Sequence, residues 1–246
     1  MSRLTYAIPF PTENARRKCN KRLTGGGKEY PFEDLIFEVN DGVEDGLRTI
    51  LFKVGDNRPC AILYFDSTEE AILQVFERGV TCAVNRPMNR GRDTRVMLLA
   101  IRKYLQDNGV KRILFTDSST YTCPDKTVVN LRLTYLFCYG KTWYDDVIGA
   151  EPLDPEPKQQ YKSIQKKLKT LKWNSVRNLL NPSISTHSEI LEMIPKQNVL
   201  FQELLNYLRT NIECKKFSIW LNIFASLVLP GQTFEGIVFV SHISSG

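Results

Sequence analysis

Apolar residues recur along this chain at two different periods. Between residues 34 and 65 they come in short runs, DLIFEV (34–39), RTILFKV (48–54) and CAILYF (60–65), separated by Asn40-Asp41-Gly42 and Gly55-Asp56-Asn57. Runs of this length between turn residues predict three strands of an antiparallel meander. Ser67 with Glu70 has the form of a capping box and predicts a short helix to Arg78, closed by Gly79. VTCAVN (80–85) predicts a further strand. Met97, Ile101, Tyr104, Leu105 and Asn108 then share one helical face that ends at Asn108-Gly109, and the strand RILFT (112–116) follows at once. Strand, loop, helix and strand within about 35 residues match the scale of a crossover unit.

The second half favours the helical period. Past a polar loop, 117–126, Val129, Leu133, Leu136 and Phe137 predict a helix interrupted by Gly140. The two prolines of LDPEPK (153–158) mark the expected domain boundary. Tyr161, Ile164, Leu168 and Leu171 then form an apolar stripe, with helices expected around 187–196 and 198–213. An apolar block, 217–229, and a strand, FEGIVFV (234–240), close the chain. The expected fold class is α+β, a mixed α/β arrangement of a central sheet with flanking helices plus a helical C-terminal extension. Its divisions are an irregular basic segment, 1–33, a sheet domain, 34–152, and a basic, mostly helical region, 153–246.

Composition changes this picture in one place. The chain of 246 residues is 42% hydrophobic and 24% charged, with a net charge of +6 and a pI near 8.9. Lys158, Lys162, Lys166, Lys167, Lys169, Lys172 and Arg177 lie in a stretch with no acid between Glu156 and Glu189, so this one segment accounts for the whole net charge. Other classes lose support. Cysteines at 19, 60, 82, 123, 138 and 214 form no CxxC pair, and His187 and His242 are the only histidines, so neither a zinc site nor a hydrolytic triad is indicated. Gly25-Gly26-Gly27-Lys28 lacks the spacing of a phosphate loop. The apolar block is too short to span a bilayer. Cys60, Cys82 and Cys138 sit in apolar runs and read as reduced and buried, and with no signal-peptide pattern at the N-terminus the expected location is intracellular, cytoplasmic or nuclear.

Candidate chemistry concentrates in NRPMNRGRDTR (85–95), where Arg86, Arg90, Arg92 and Arg95 surround Gly91 just before the crossover helix. A helix N-terminus with forked guanidinium groups favours an anion: a cofactor phosphate, a nucleic-acid phosphate or a neighbouring carboxylate. This order of elements resembles the GNAT superfamily of N-acetyltransferases over residues 34–152. In that family a meander leads to a strand, an Arg/Gln-x-x-Gly-x-Gly/Ala loop and a helix, with a further strand, a helix and a tyrosine signature beyond. The resemblance implies a GNAT-like sheet, acetyl-CoA as cofactor with its pyrophosphate on the backbone of Arg90, Gly91, Arg92, Asp93 and Thr94, and Tyr144 of TWYDDVIGA as the acid for the departing thiolate. It implies acetyl transfer to an amine, with Asp117, Asp145, Asp146 and Glu70 as candidate bases. Met88 and Asp93 stand where the family carries Arg or Gln and Gly or Ala. GKTWYDD also looks like segments of proteins from large DNA viruses.

The alternative is a catalytically inactive scaffold of the same kind. Residues 158–177 and ARRKCNKR (15–22) would then bind nucleic acid or an acidic protein, with Tyr161 and Trp173 as candidates for stacking on bases, or the chain would be a structural component of a larger assembly such as a virion.

Overall fold

The computed structural model describes residues 27–44, 47–53, 59–65, 67–76, 81–89, 91–231, 234 and 236–243. The fold is mixed α+β, as the patterning predicts, and its described residues form two compact units, one of residues up to 65 with 73–96 and the other of 67–72 with 97–243.

In the first unit four strands, β1 (Lys28–Phe32), β2 (Leu35–Glu44), β3 (Leu47–Lys53) and β4 (Ala61–Phe65), pair antiparallel in sequence order. The predicted meander is present and gains β1, which the sequence reading placed in an irregular segment. Along β2, buried Leu35, Phe37 and Val39 alternate with more exposed neighbours, the period-2 signature of a sheet with one covered face. Ile50, Leu51 and Phe52 of β3 and Ala61, Ile62 and Leu63 of β4 are buried consecutively, so both faces are covered there.

Two local expectations reverse. The predicted helix from Ser67 is instead strand β5 (Glu70–Phe76). The Ser67 hydroxyl accepts a hydrogen bond from the Glu69 N–H, making a turn where a helix cap was expected. The predicted strand 80–85 is bent backbone over its described residues, 81–85. There Val84 donates its N–H to the Ile36 carbonyl, while the Asn85 side chain accepts the Ile36 N–H and donates to the Asp34 carbonyl. An amide side chain thus takes over the pairing that a strand backbone would supply.

The second unit holds the beginning of β5, β6 (Arg112–Thr116), β9 (Glu151–Pro152) and β10 (Val238–His242). Glu70–Ile72 pair parallel with Arg112–Leu114, β10 runs antiparallel to β6, and β9 pairs antiparallel with β10. β10 lies four residues beyond the start expected for the last strand, after a turn in which Gly236 has φ of 72°. A separate hairpin, β7 (Thr120–Thr122) with β8 (Val128–Asn130), begins in the loop expected at 117–126 and takes Val129, expected on the following helix, into a strand.

Eight helices occur among the described residues. They are α1 (Arg92–Asp107), α2 (Leu131–Tyr139), α3 (Trp143–Ile148), α4 (Pro155–Thr170), α5 (Trp173–Arg177), α6 (Ser185–Met193), α7 (Phe201–Asn211) and α8 (Cys214–Val228). The stripe predicted for α1 is buried at Met97, Ile101 and Leu105, and that of α4 at Tyr161, Ile164 and Leu168. Trp173, Phe201 and Phe224 pack edge-to-face and stacked at the centre of the helical core, with Trp173 donating its indole N–H to the Pro195 carbonyl. Residues 153–158 lie within this second unit, where Pro155 opens α4 at a position that lacks an N–H partner in any case.

The cysteine reading needs correction. Cys60 is bonded to Cys82 and Cys123 to Cys214, leaving Cys138 as the free, buried thiol among the described residues. Cys60 and Cys82 are buried as expected, but burial here goes with a covalent partner and not with the reduced state. Two disulfides weigh against a reducing cytosol.

Candidate functional site

The arginine loop lies in the first unit, and its anion is the chain's own carboxylate. Asp93, in the first turn of α1, is completely buried. One carboxylate oxygen accepts the Asn89 N–H at 2.6 Å and the Arg86 guanidinium at 2.7 Å, and the other accepts Arg86 at 3.2 Å. Arg86 also donates to Asp34 at 2.6 Å, and Arg92 reaches the other oxygen of Asp34 at 3.2 Å. Asp34 sits in the turn between β1 and β2, so the arginines fasten the loop to the meander. The Arg86 hydrogen bond, assisted by the Asn89 amide, holds the Asp93 carboxyl down at about 2. Asp34 is lowered as well, chiefly by Arg86.

Of the residues expected to hold a pyrophosphate, Gly91 takes the left-handed conformation with φ of 81°, Arg92 is exposed, Thr94 is half-buried and Asp93 faces inward. Arg90 lies outside the described residues. Met88 is buried, leaving no guanidinium at the position where the family loop begins with Arg or Gln.

A second cluster forms in the second unit at the end of β6. Asp117 is buried, and its Oδ1 accepts the N–H and hydroxyl of Ser119, while Oδ2 has no hydrogen-bond partner. Burial raises its pKa, against the pull of Ser119 and Arg132. Arg132 of α2, also buried, donates to the carbonyls of Asp117 and Phe234. Tyr144 of α3 packs its ring against Phe115, 4.4 Å between centroids, and against Trp143. Its phenol is driven far above its usual pKa by burial and then by the Asp117 charge. The other expected bases are engaged: Glu70 pairs with Arg112, Asp146 with Lys141, and Asp145 accepts from Tyr161 and Gln165.

The lysines of α4 are disposed differently. Lys158 pairs with Glu151, Lys167 donates to the Val228 carbonyl, and Arg177 is half-buried. Lys162, Lys166, Lys169 and Lys172 are exposed and meet no carboxylate among the described residues. The aromatic residues expected to stack on bases are withdrawn: Tyr161 is buried, with its hydroxyl accepting the Thr142 N–H and donating to Asp145, and Trp173 is fully buried in the core.

Sequence reasoning missed Asp34, 58 positions before Arg92 and joined to the loop only by the fold. Asn85 was missed too, although an Asn at the mouth of a loop is a recurrent side-chain substitute for backbone pairing. Among the described residues no His/Cys/Asp/Glu cluster has metal-binding geometry, and no helix is long and apolar enough to cross a membrane. Compared with models of known families, with curated proteins and with solved structures, the chain gives no match.

Proposed function

We propose that this chain is a non-catalytic, acyltransferase-like scaffold whose working surface is the lysine face of α4, where it binds an acidic macromolecule. The order of meander, strand β5, arginine loop, helix and strand β6 supports the scaffold part of this reading, with bent backbone at 81–85 where the strand next to the loop was expected. The observation that carries the non-catalytic part is Asp93. Its carboxylate already holds Arg86 and the Asn89 amide at the head of α1, so a pyrophosphate placed there would meet a buried negative charge with its arginine already taken. These residues do not fit acetyl-CoA. Tyr144 supports the same reading, because a phenol packed beneath Phe115 and Trp143 has lost the access that thiolate protonation requires.

The test is calorimetric titration of acetyl-CoA, with CoA as comparison, into the intact protein at moderate salt. No binding heat is expected up to millimolar ligand. Micromolar affinity for both ligands would overturn the reading and restore the arginine loop as a cofactor site.

A further inference from the structure

We infer that the partner of the α4 face is the phosphate backbone of double-stranded nucleic acid, held by charge alone with no reading of bases. The inference rests on the proposed function only in taking α4 as the working surface. Lys162, Lys166 and Lys169 stand at i, i+4 and i+7 on one helix and therefore form one stripe, about 10 Å long at the α-helical rise. Lys172, exposed as well, follows two residues past the helix end. The stripe is backed by a rigid support: Tyr161, Ile164 and Leu168 are buried on the opposite side, and Lys158 and Lys167 are tied down at its margins. Four ammonium groups that pair with no carboxylate among the described residues repel one another, and a line of phosphates relieves that repulsion.

The chemistry of the flanks decides between a nucleic acid and an acidic protein. Stable protein partners are anchored by aromatic or aliphatic side chains seated in desolvated pockets. Here the exposed residues flanking the stripe along α4, Gln159, Ser163 and Thr170, are polar, and the one exposed apolar residue of the helix is Pro155 at its first position, so this face offers no aromatic or long aliphatic anchor. The same withdrawal of aromatics separates duplex from single strand. Proteins that prefer single strands stack bases on exposed rings, and both rings of this segment are buried. What remains is a row of compact, strongly hydrated point charges, suited to the denser phosphate array of a duplex.

Fluorescence anisotropy of a labelled duplex of about 20 base pairs, titrated with the full chain at several salt concentrations, tests this. Four phosphate contacts give a slope of about −3.6 in log affinity against log salt, so affinity falls about 150-fold between about 50 and about 200 mM. Lys162→Gln/Lys166→Gln/Lys169→Gln leaves one contact, and the same salt change then costs about 3-fold. Should the triple variant fail to fold, Lys166→Gln alone reduces the slope by about 0.9. An unchanged slope in a folded variant overturns the inference. A labelled single strand that binds more than about tenfold tighter than the duplex overturns it by showing that bases are engaged. Polyglutamate that binds more tightly than the duplex also overturns it while leaving the acidic-partner reading intact. Acetyl-CoA binding in the calorimeter would remove the non-catalytic reading and leave the salt slopes to stand by themselves.

Discussion

Arg86 and Arg92 belong to the same loop and the same charge cluster, yet they do different work. Arg86 carries the buried carboxylate of Asp93, whereas Arg92 is 68% exposed and shares Asp34, which is itself 46% exposed. Removing Arg86 strands the buried carboxylate of Asp93 without its charge partner, so Arg86→Ala is expected to lower the unfolding free energy in urea clearly more than Arg92→Ala does. Arg92→Ala removes a surface contact and is expected to cost about 0.5 kcal/mol or less. Equal costs would show that Asp93 does not depend on Arg86. The sequence announces that an anion belongs near Gly91, because four arginines at a helix N-terminus need one. It offers a neighbouring carboxylate as one answer, and Asp93 is that neighbour. Asp34 is not legible in the same way, since nothing local distinguishes it from the chain's other acids until β1 and β2 turn it toward the loop.

At the scale of elements, the two disulfides enclose very different lengths of chain, with separations of 91 residues for Cys123–Cys214 and 22 for Cys60–Cys82. Loop-closure entropy then favours the longer bridge by about 1.3 kcal/mol. Cys123→Ser/Cys214→Ser is expected to destabilise the protein more than Cys60→Ser/Cys82→Ser in parallel urea titrations, and the reverse order would contradict this entropic account. Neither bridge is readable from spacing, because cysteine pairing depends on which loops the fold brings together. Helices α1 and α4 are legible because their apolar residues repeat at 3.6 over four turns, with charge on the far side. β5 is not, because AILQVF is a short apolar run that fits a helix or a strand equally, and the parallel partner β6, distant in sequence, decides the matter. β9 is two residues long and exists through pairing with β10, so no local pattern marks it.

Across the whole molecule, the perturbed carboxyls pull stability in opposite directions as pH changes. Asp93, held at about 2, and the lowered Asp34 contribute stability that is present above their unfolded value of 3.8 and lost as pH falls toward 2. Asp117 has the reverse sign. Its folded pKa is raised by burial, so its contribution is complete below 3.8 and is lost as pH rises through the raised value. Cys138, pushed up to about 11 by burial, adds a second loss that begins above the usual thiol value of 9.0. Between the acid limb and the thiol limb, Asp117 is the buried carboxyl that tilts the profile downward. Asp117→Asn removes that titration while keeping an oxygen to accept from Ser119. Urea unfolding measured at a series of pH values should therefore show a profile flatter than wild type just above the usual carboxylate range, with the acid limb of Asp93 and Asp34 unchanged. A variant that keeps the wild-type slope there would mean that Asp117 is ionised equally in the folded and unfolded chains, and that the unpaired Oδ2 is stabilised by something other than a proton.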